Sequence, residues 1–166
     1  MTINSEVRFA SSPEDAKRYD TAELRRRYLI ENVFSADEVN MTYTMHDRMI
    51  AGGAMPVGEI LELKPIDILR ADYFLERREM GIFNVGGKGI VTAGDKEYEL
   101  DYKEALYLGR GSRIVTFRSL DPANPAKFYF CSANAHATYP DHKTTKENAV
   151  HMELGTLEES NHRVIN

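Results

Sequence analysis

Cysteine is almost absent: a single residue, Cys131, stands among 166. One thiol cannot staple a fold, so a disulfide scaffold is excluded. Its place in KFYFCSA, a run that reads as a strand, makes it a small buried apolar residue. Long hydrophobic runs are missing too, none approaching the roughly 20 residues of a membrane span. The start, MTINSEVRFASSPEDAKRYD, is polar throughout and is neither a signal peptide nor a transit sequence. These absences lead to the expectation of a soluble cytoplasmic protein with no membrane partner. Positive charge is outnumbered, with 21 Lys and Arg against 26 Asp and Glu and a net charge of −5. That leaves no broad basic field, and nucleic acid is set aside as a partner. The sequence holds no GxSxG, no P-loop lysine and no dinucleotide-binding glycine fingerprint. Its five histidines, His46, His136, His142, His151 and His162, include no pair at i,i+2 or i,i+4 spacing. A metal site made from them would need distant loops to converge.

What is present is enough for one ordinary domain. Hydrophobic residues make up 42% and charged residues 28%, and a chain of this length buries roughly 70% of its unfolded surface. The first 35 residues read as a helical arm. Ser12 before Pro13-Glu14-Asp15 and Asp20 before Thr21-Ala22-Glu23 are helix starts, and Glu23 stands where it would reach back to Asp20. TAELRRRYLIEN sets Leu24 and Tyr28 on one face and Arg25, Arg26 and Arg27 around the other, as a solvated or interface-rimming face would. Residues 36–135 change period. MTYTMHDRMIAGGAMP alternates and breaks at Gly52-Gly53, as a strand with a glycine kink does. GEILELKP, MGIFNV, GIVTAG, EYEL, ALYLG, RIVTFRS and KFYFCSA are short strands. Gly86-Gly87-Lys88-Gly89 reads as a hairpin, and Gly94-Asp95-Lys96 and Gly109-Arg110-Gly111 as turns. Many short strands without a crossover helix predict an all-β, antiparallel sandwich or barrel. Residues 136–166 read as an extension or linker toward a further domain, with KTTKENAVHME as a candidate helix.

Few side chains offer chemistry. His46 beside Asp47 reads either as a carboxylate-oriented base or as a hairpin end. Arg110 either projects from its turn toward a carboxylate ligand or is a solvated turn residue. The cluster Glu76-Arg77-Arg78-Glu79 fits a loop or sheet edge laced by ion pairs worth about 0–1 kcal/mol each. Facing a barrel mouth, its arginines would instead hold a sugar carboxylate bidentately.

The order of strands and glycine turns from Tyr73 to Arg118 resembles the cupin barrel. Laying the two cupin motifs on YFLERREMGIFNVG and GRGSRI puts the four metal-ligand positions at Tyr73, Leu75, Met80 and Ile114. A phenol, two aliphatic chains and a thioether make no ordinary site for zinc, so the expectation is a filled, apolar pocket that holds no metal. More specifically, the chain resembles the 5-keto-4-deoxyuronate isomerase (4-deoxy-L-threo-5-hexosulose-uronate ketol-isomerase) family. The segments that carry this are TAELRRRYLIENVFSADEVNMTYTMHDRMIAGGAMP, YFLERREMGIFNVGGKGIVTAGDKEYELDYKEALYLGRGS, PAKFYFCSANAHATYP and SNHRVIN. The resemblance implies a bicupin that assembles as a hexamer, binds zinc in its second barrel and interconverts a keto-deoxyuronate with its diketo isomer during pectin or uronate breakdown. On that footing the chain is the N-terminal, zinc-free half, with no cofactor of its own. The resemblance also implies a homo-oligomer and a small keto-deoxyuronate as partner. Arg77, Arg78 and Arg110 are the substrate-binding candidates, and no catalytic base is assigned. The alternatives are a metal-free cupin module for sugar-acid binding or oligomer assembly, and a self-sufficient isomerase using His46 or His136.

Overall fold

The computed structural model describes residues 2–112 and 114–165. The chain opens with a strand, β1 (Thr2–Arg8), followed by two short helices, α1 (Pro13–Ala16) and α2 (Thr21–Tyr28). Both helix starts are capped as the sequence predicts. Ser12 Oγ accepts from the Asp15 amide at 3.1 Å and Asp20 Oδ1 accepts from the Glu23 amide at 2.8 Å. The Glu23 carboxylate, expected to reach back to Asp20, pairs instead with Arg26 and Arg27, Arg27 Nε lying 2.6 Å away, and Arg25 pairs with Glu31. The three arginines therefore form a solvated, paired face.

The expected helical arm is thus only partly helical. β1 lies parallel to β2 (Glu38–Thr44), and the Asn4 side chain donates to Asn40 Oδ1 at 2.8 Å. This strand was invisible to periodicity because most of its residues are exposed on an edge. The stretch expected to be one kinked strand is two, β2 and β3 (Met49–Ala54), with His46 and Asp47 in the turn between them. Gly52 and Gly53 continue β3 and serve close packing: a Cβ at Gly52 would collide with the Asn40 carbonyl oxygen and the Phe130 ring.

The remaining elements are β4 (Leu61–Glu62), a 3₁₀ turn (Asp67–Leu69), β5 (Arg78–Asn84), β6 (Gly89–Ala93), β7 (Lys96–Leu100), β8 (Ala105–Leu108), β9 (Val115–Ser119), β10 (Phe128–Asn134), β11 (His142–Thr144), β12 (Met152–Leu154) and β13 (Arg163–Ile165). They build a seven-stranded sheet, β1-β2-β3-β10-β5-β8-β11, and a four-stranded sheet, β4-β9-β6-β7. All pairings among these strands except β1 with β2 are antiparallel. This is the all-β, antiparallel architecture expected of a cupin-type barrel. Alternation explains which sheet face turns inward. On β5 Arg78, Met80, Ile82 and Asn84 are buried while Glu79, Gly81 and Phe83 face outward. The sheets meet through aromatic rings. Phe117 of β9 stacks on Phe130 of β10 at 6.2 Å and tilts against Phe128 at 5.4 Å.

Two further expectations need correction. Gly86-Gly87-Lys88-Gly89 joins strands of different sheets, so it is a corner and not a hairpin. The buried Asn84 amide closes that corner, its Nδ2 donating to the Gly87 carbonyl at 2.7 Å and to the Leu100 carbonyl at 2.9 Å. KTTKENAVHME forms no helix. Its first residues are in β11, which extends the large sheet, and Asn148 Oδ1 accepts from the Thr145 amide at 2.7 Å in a side-chain turn. β12 and β13 pair only with each other, and their residues are exposed.

Candidate functional site

The four positions that the cupin motifs assign to metal ligands do not form a site. Leu75 (0% exposed) and Met80 (1%) are packed in the core. Tyr73 is half-buried just ahead of β5, and Ile114 is 55% exposed. Val115 points inward at the start of β9, so alternation turns its neighbour Ile114 out. Leu75 and Met80 thus lie in packed apolar surroundings, and Ile114 does not. These residues do not fit zinc: two are buried hydrocarbon or thioether, and none of the four carries an imidazole, thiolate or carboxylate. Among the described residues, no three His, Cys, Asp or Glu side chains gather as metal ligands would.

Polar chemistry collects instead at one end of the barrel. A cleft of about 450 Å3 brings together Arg77, Arg78 and Arg110, the three candidates, and adds Arg48 from the β2–β3 turn. Tyr43, Phe74, Ile68 and Leu69 supply apolar wall. Every lining strand reaches the cleft by the same end, because antiparallel neighbours bring the end of β2 beside the starts of β3 and β5 and the end of β10.

Arg78 is the anchor. Only 3% exposed, its guanidinium donates from Nε to Ser132 Oγ (3.1 Å) and from Nη1 to Asn134 Oδ1 (2.9 Å). Nη2 donates to the carbonyls of Ser132 (2.7 Å) and Arg48 (2.8 Å). Its Cζ lies 5.9 Å from the centroid of the Tyr43 ring. All four acceptors are neutral. Burial lowers the Arg78 pKa from its ordinary value, and at neutral pH an arginine so placed still carries its charge. Arg77 is more exposed. Its Nη2 donates to the Leu69 carbonyl at 3.1 Å and also to the Arg70 carbonyl, closing the 3₁₀ turn. Its nearest carboxylate is Glu76, 3.9 Å from Nε.

Arg110 projects from a loop pinned on both sides. The Gly109 amide donates to Asp141 Oδ1 at 3.0 Å, and the Gly111 amide donates to the Leu75 carbonyl at 2.8 Å. Gly111 has φ +115°, a conformation that side chains disfavour. The other Asp141 oxygen accepts from the Tyr98 hydroxyl at 3.0 Å, and burial together with this bond raises the Tyr98 pKa. The arginine thus leaves a loop held by two backbone-amide hydrogen bonds, while its guanidinium makes no hydrogen bond or ion pair among the described residues.

The histidines lie elsewhere. His46 packs its ring 5.7 Å from Tyr28, which favours the hairpin-end reading, and His136 lies 3.2 Å from the Tyr139 hydroxyl. A larger cavity of about 760 Å3 under α2 has charged walls, but there Arg8 pairs with Glu6 at 2.9 Å and Arg25 with Glu31. Arg48, Tyr43 and Asn134 are the cleft residues that sequence reasoning missed. The only signal for Arg48 was its place in a turn, and the turn's position relative to β5 depends on the strand order.

Comparison with known proteins places this geometry among relatives. The KduI/IolB family pattern matches residues 28–166. A 4-deoxy-L-threo-5-hexosulose-uronate ketol-isomerase of Bacteroides fragilis is 66% identical over 166 residues, all of this chain and 59% of that protein. One from Bacteroides thetaiotaomicron is 63% identical and one from Formosa agariphila 52%, each over all of this chain and 59% of the relative. The chain therefore spans 59% of the length of these curated relatives. Two of the similar solved structures are distant in sequence. A cupin protein from Bacteroides fragilis has TM-score 0.36 and 15% identity, covering 61% of this chain and 75% of that one. Protein Ylba from E. coli has TM-score 0.43 and 10% identity, covering 63% and 41%.

Proposed function

Because the chain belongs to the KduI/IolB family, we propose that it is the N-terminal, non-metal part of a ketol-isomerase acting on a keto-deoxyuronate. One observation carries this reading: 66% identity to a named ketol-isomerase with no part of the chain left out. The reaction moves a proton on carbon next to a carbonyl and so needs an acid–base group and a partner for the developing oxyanion. Leu75 and Met80, packed in the core, supply neither. The reading therefore assigns this barrel a supporting role, with zinc, if used, held outside these 166 residues. Further parts of it are a cytoplasmic setting and a homo-oligomer, hexameric at full length. The test is an assay of keto-deoxyuronate conversion and bound metal on the purified 166-residue protein beside the full-length Bacteroides fragilis relative. Turnover and zinc are expected only in the longer protein. Turnover or stoichiometric zinc in the shorter one overturns the reading.

A second reading, an assembly module, draws support from the outer face of the large sheet. An antiparallel sheet facing water ordinarily turns polar residues outward. Here Phe83, 45% exposed, lies 6.3 Å from the Tyr129 ring, with Gly81, Cys131, Ala51 and Ala133 around them. Sedimentation of the wild type and of Phe83→Glu tests it. A wild type that stays monomeric at all concentrations excludes self-assembly through this face.

A further inference from the structure

We propose that the cleft formed by Arg48, Arg77, Arg78 and Arg110 is a binding site for the carboxylate of a small sugar acid, working without metal. The site itself stands on charge and burial. The choice of a sugar acid among carboxylates rests on the isomerase reading.

Four guanidinium groups line one cleft, and among the described residues no Asp or Glu lines it with them. Burying a cation without a counter-charge costs free energy, which a paired anion recovers. Arg78 is in that state: its hydrogen bonds engage four of its five N–H donors with neutral oxygens and leave its charge unbalanced. Arg48 and Arg110 make no side-chain contact of any polar kind among the described residues, so their donors are available to a ligand. Glu76, at the far limit of an ion pair from Arg77, leaves most of that charge unpaired as well.

The shape of the chemistry selects the ligand. Planar guanidinium forks match the two oxygens of a carboxylate. Tyr43, Phe74, Ile68 and Leu69 line the same cleft and offer apolar surface to a carbon skeleton. A volume of about 450 Å3 lies within the range of small-molecule sites. Arg78 acts as the fixed positive base of the cleft, and Arg110, carried on its pinned loop, supplies a second guanidinium to the ligand.

Calorimetric titration of the 166-residue protein with D-galacturonate, D-galactose and inorganic phosphate tests the proposal. Galacturonate binding that weakens with added salt, with no binding of galactose over the same range, is the expected result. Arg110→Ala should lower galacturonate affinity about tenfold, the scale of one charge-assisted bond. Arg48→Asn, a residue that tolerates the left-handed backbone at position 48 (φ 53°), should do the same. Both residues are at the surface end of the cleft, and an unchanged melting temperature confirms that each variant is folded. Equal binding of galactose and galacturonate, or unchanged affinity in both variants, overturns the site. Phosphate binding tighter than galacturonate overturns the carboxylate assignment. An inactive full-length relative would count against the isomerase reading and leave these binding results intact.

Discussion

Replacing Arg78 by methionine removes a buried charge at nearly constant length and tests how the mouth of the barrel is held together. Four hydrogen bonds are lost, to Ser132 Oγ, Asn134 Oδ1 and the carbonyls of Ser132 and Arg48. Each charge-assisted bond contributes about 1.5–3 kcal/mol, so the gross loss is roughly 6 kcal/mol or more. Opposing it, methionine relieves the guanidinium of a desolvation cost that amounts to several kcal/mol in proteins. The acceptors remain, and those cut off from water keep the cost of an unmade bond. The net expectation is a loss of about 2–4 kcal/mol, or roughly 6–12 °C in melting temperature at about 3 kcal/mol for a chain of this size. Arg78→Lys should lie between, because an ammonium restores the charge and reaches fewer acceptors. Urea unfolding followed by circular dichroism measures both, with the slope checked for constancy. If Arg78→Met is as stable as the wild type, the four bonds do not outweigh the desolvation cost and the account of this anchor is wrong.

Three other outcomes follow from named contacts. Leu75→Ala empties a fully buried core position and should cost about 2–5 kcal/mol in the same urea experiment; a loss below 1 kcal/mol would mean the would-be ligand position is not packed. Asp37 Oδ1 accepts from the amides of Val57, Gly58 and Glu59 at 2.7, 2.9 and 3.0 Å, and these bonds hold its pKa below the usual value. A lowered folded pKa contributes stability above the unfolded pKa of about 3.9 that is lost as pH falls through the folded value. Asp37→Asn should therefore destabilise at pH 7 and flatten the acid limb of the stability profile; an unchanged acid limb would refute it. Tyr107 donates to Glu79 Oε2 at 2.7 Å, and burial with that carboxylate pushes its pKa to about 12. A raised folded pKa gives stability present below about pH 10 and lost as pH rises toward 12. In ultraviolet titration Tyr107→Phe should remove a late-ionising tyrosine, and a spectrum still showing the same late step would refute the assignment.

Strands whose side chains alternate between core and solvent were legible in the sequence. β5, β6 and β10 stand where MGIFNV, GIVTAG and KFYFCSA predict them, because burial on one face imposes a period of two. β1 was not legible, since an exposed edge strand has little burial to impose a pattern. The Gly86 to Gly89 corner misled for a different reason. Glycine marks a sharp change of direction, and nothing local says whether the next strand stays in the same sheet. The motif positions were readable as chemically unfit for metal, yet the exposure of Ile114 depends on the register at which β9 enters the sheet. Arg77, Arg78 and Arg110 could be singled out by type. Their meeting with Arg48 depends on strand order, because β10 pairs with both β3 and β5 and so brings the β2–β3 turn beside the start of β5.

The packing also limits where this barrel can act. Phe74, Phe117, Phe128, Phe130, Leu75 and Met80 are all fully buried, and an interior packed with such side chains leaves little room for a ligand. Any recognition must then take place at the rim or on an outer face. Among the described residues Arg78 is the one charged side chain that is buried, and it is at the rim. A neutral donor such as glutamine could make part of its tie to β10 at a smaller desolvation cost. What glutamine could not supply is a positive charge beside two arginines that make no side-chain hydrogen bond or ion pair among the described residues. Under the binding proposal above, the charge at position 78 is what an anion would meet, and the stability of the barrel mouth should then rise when galacturonate is bound.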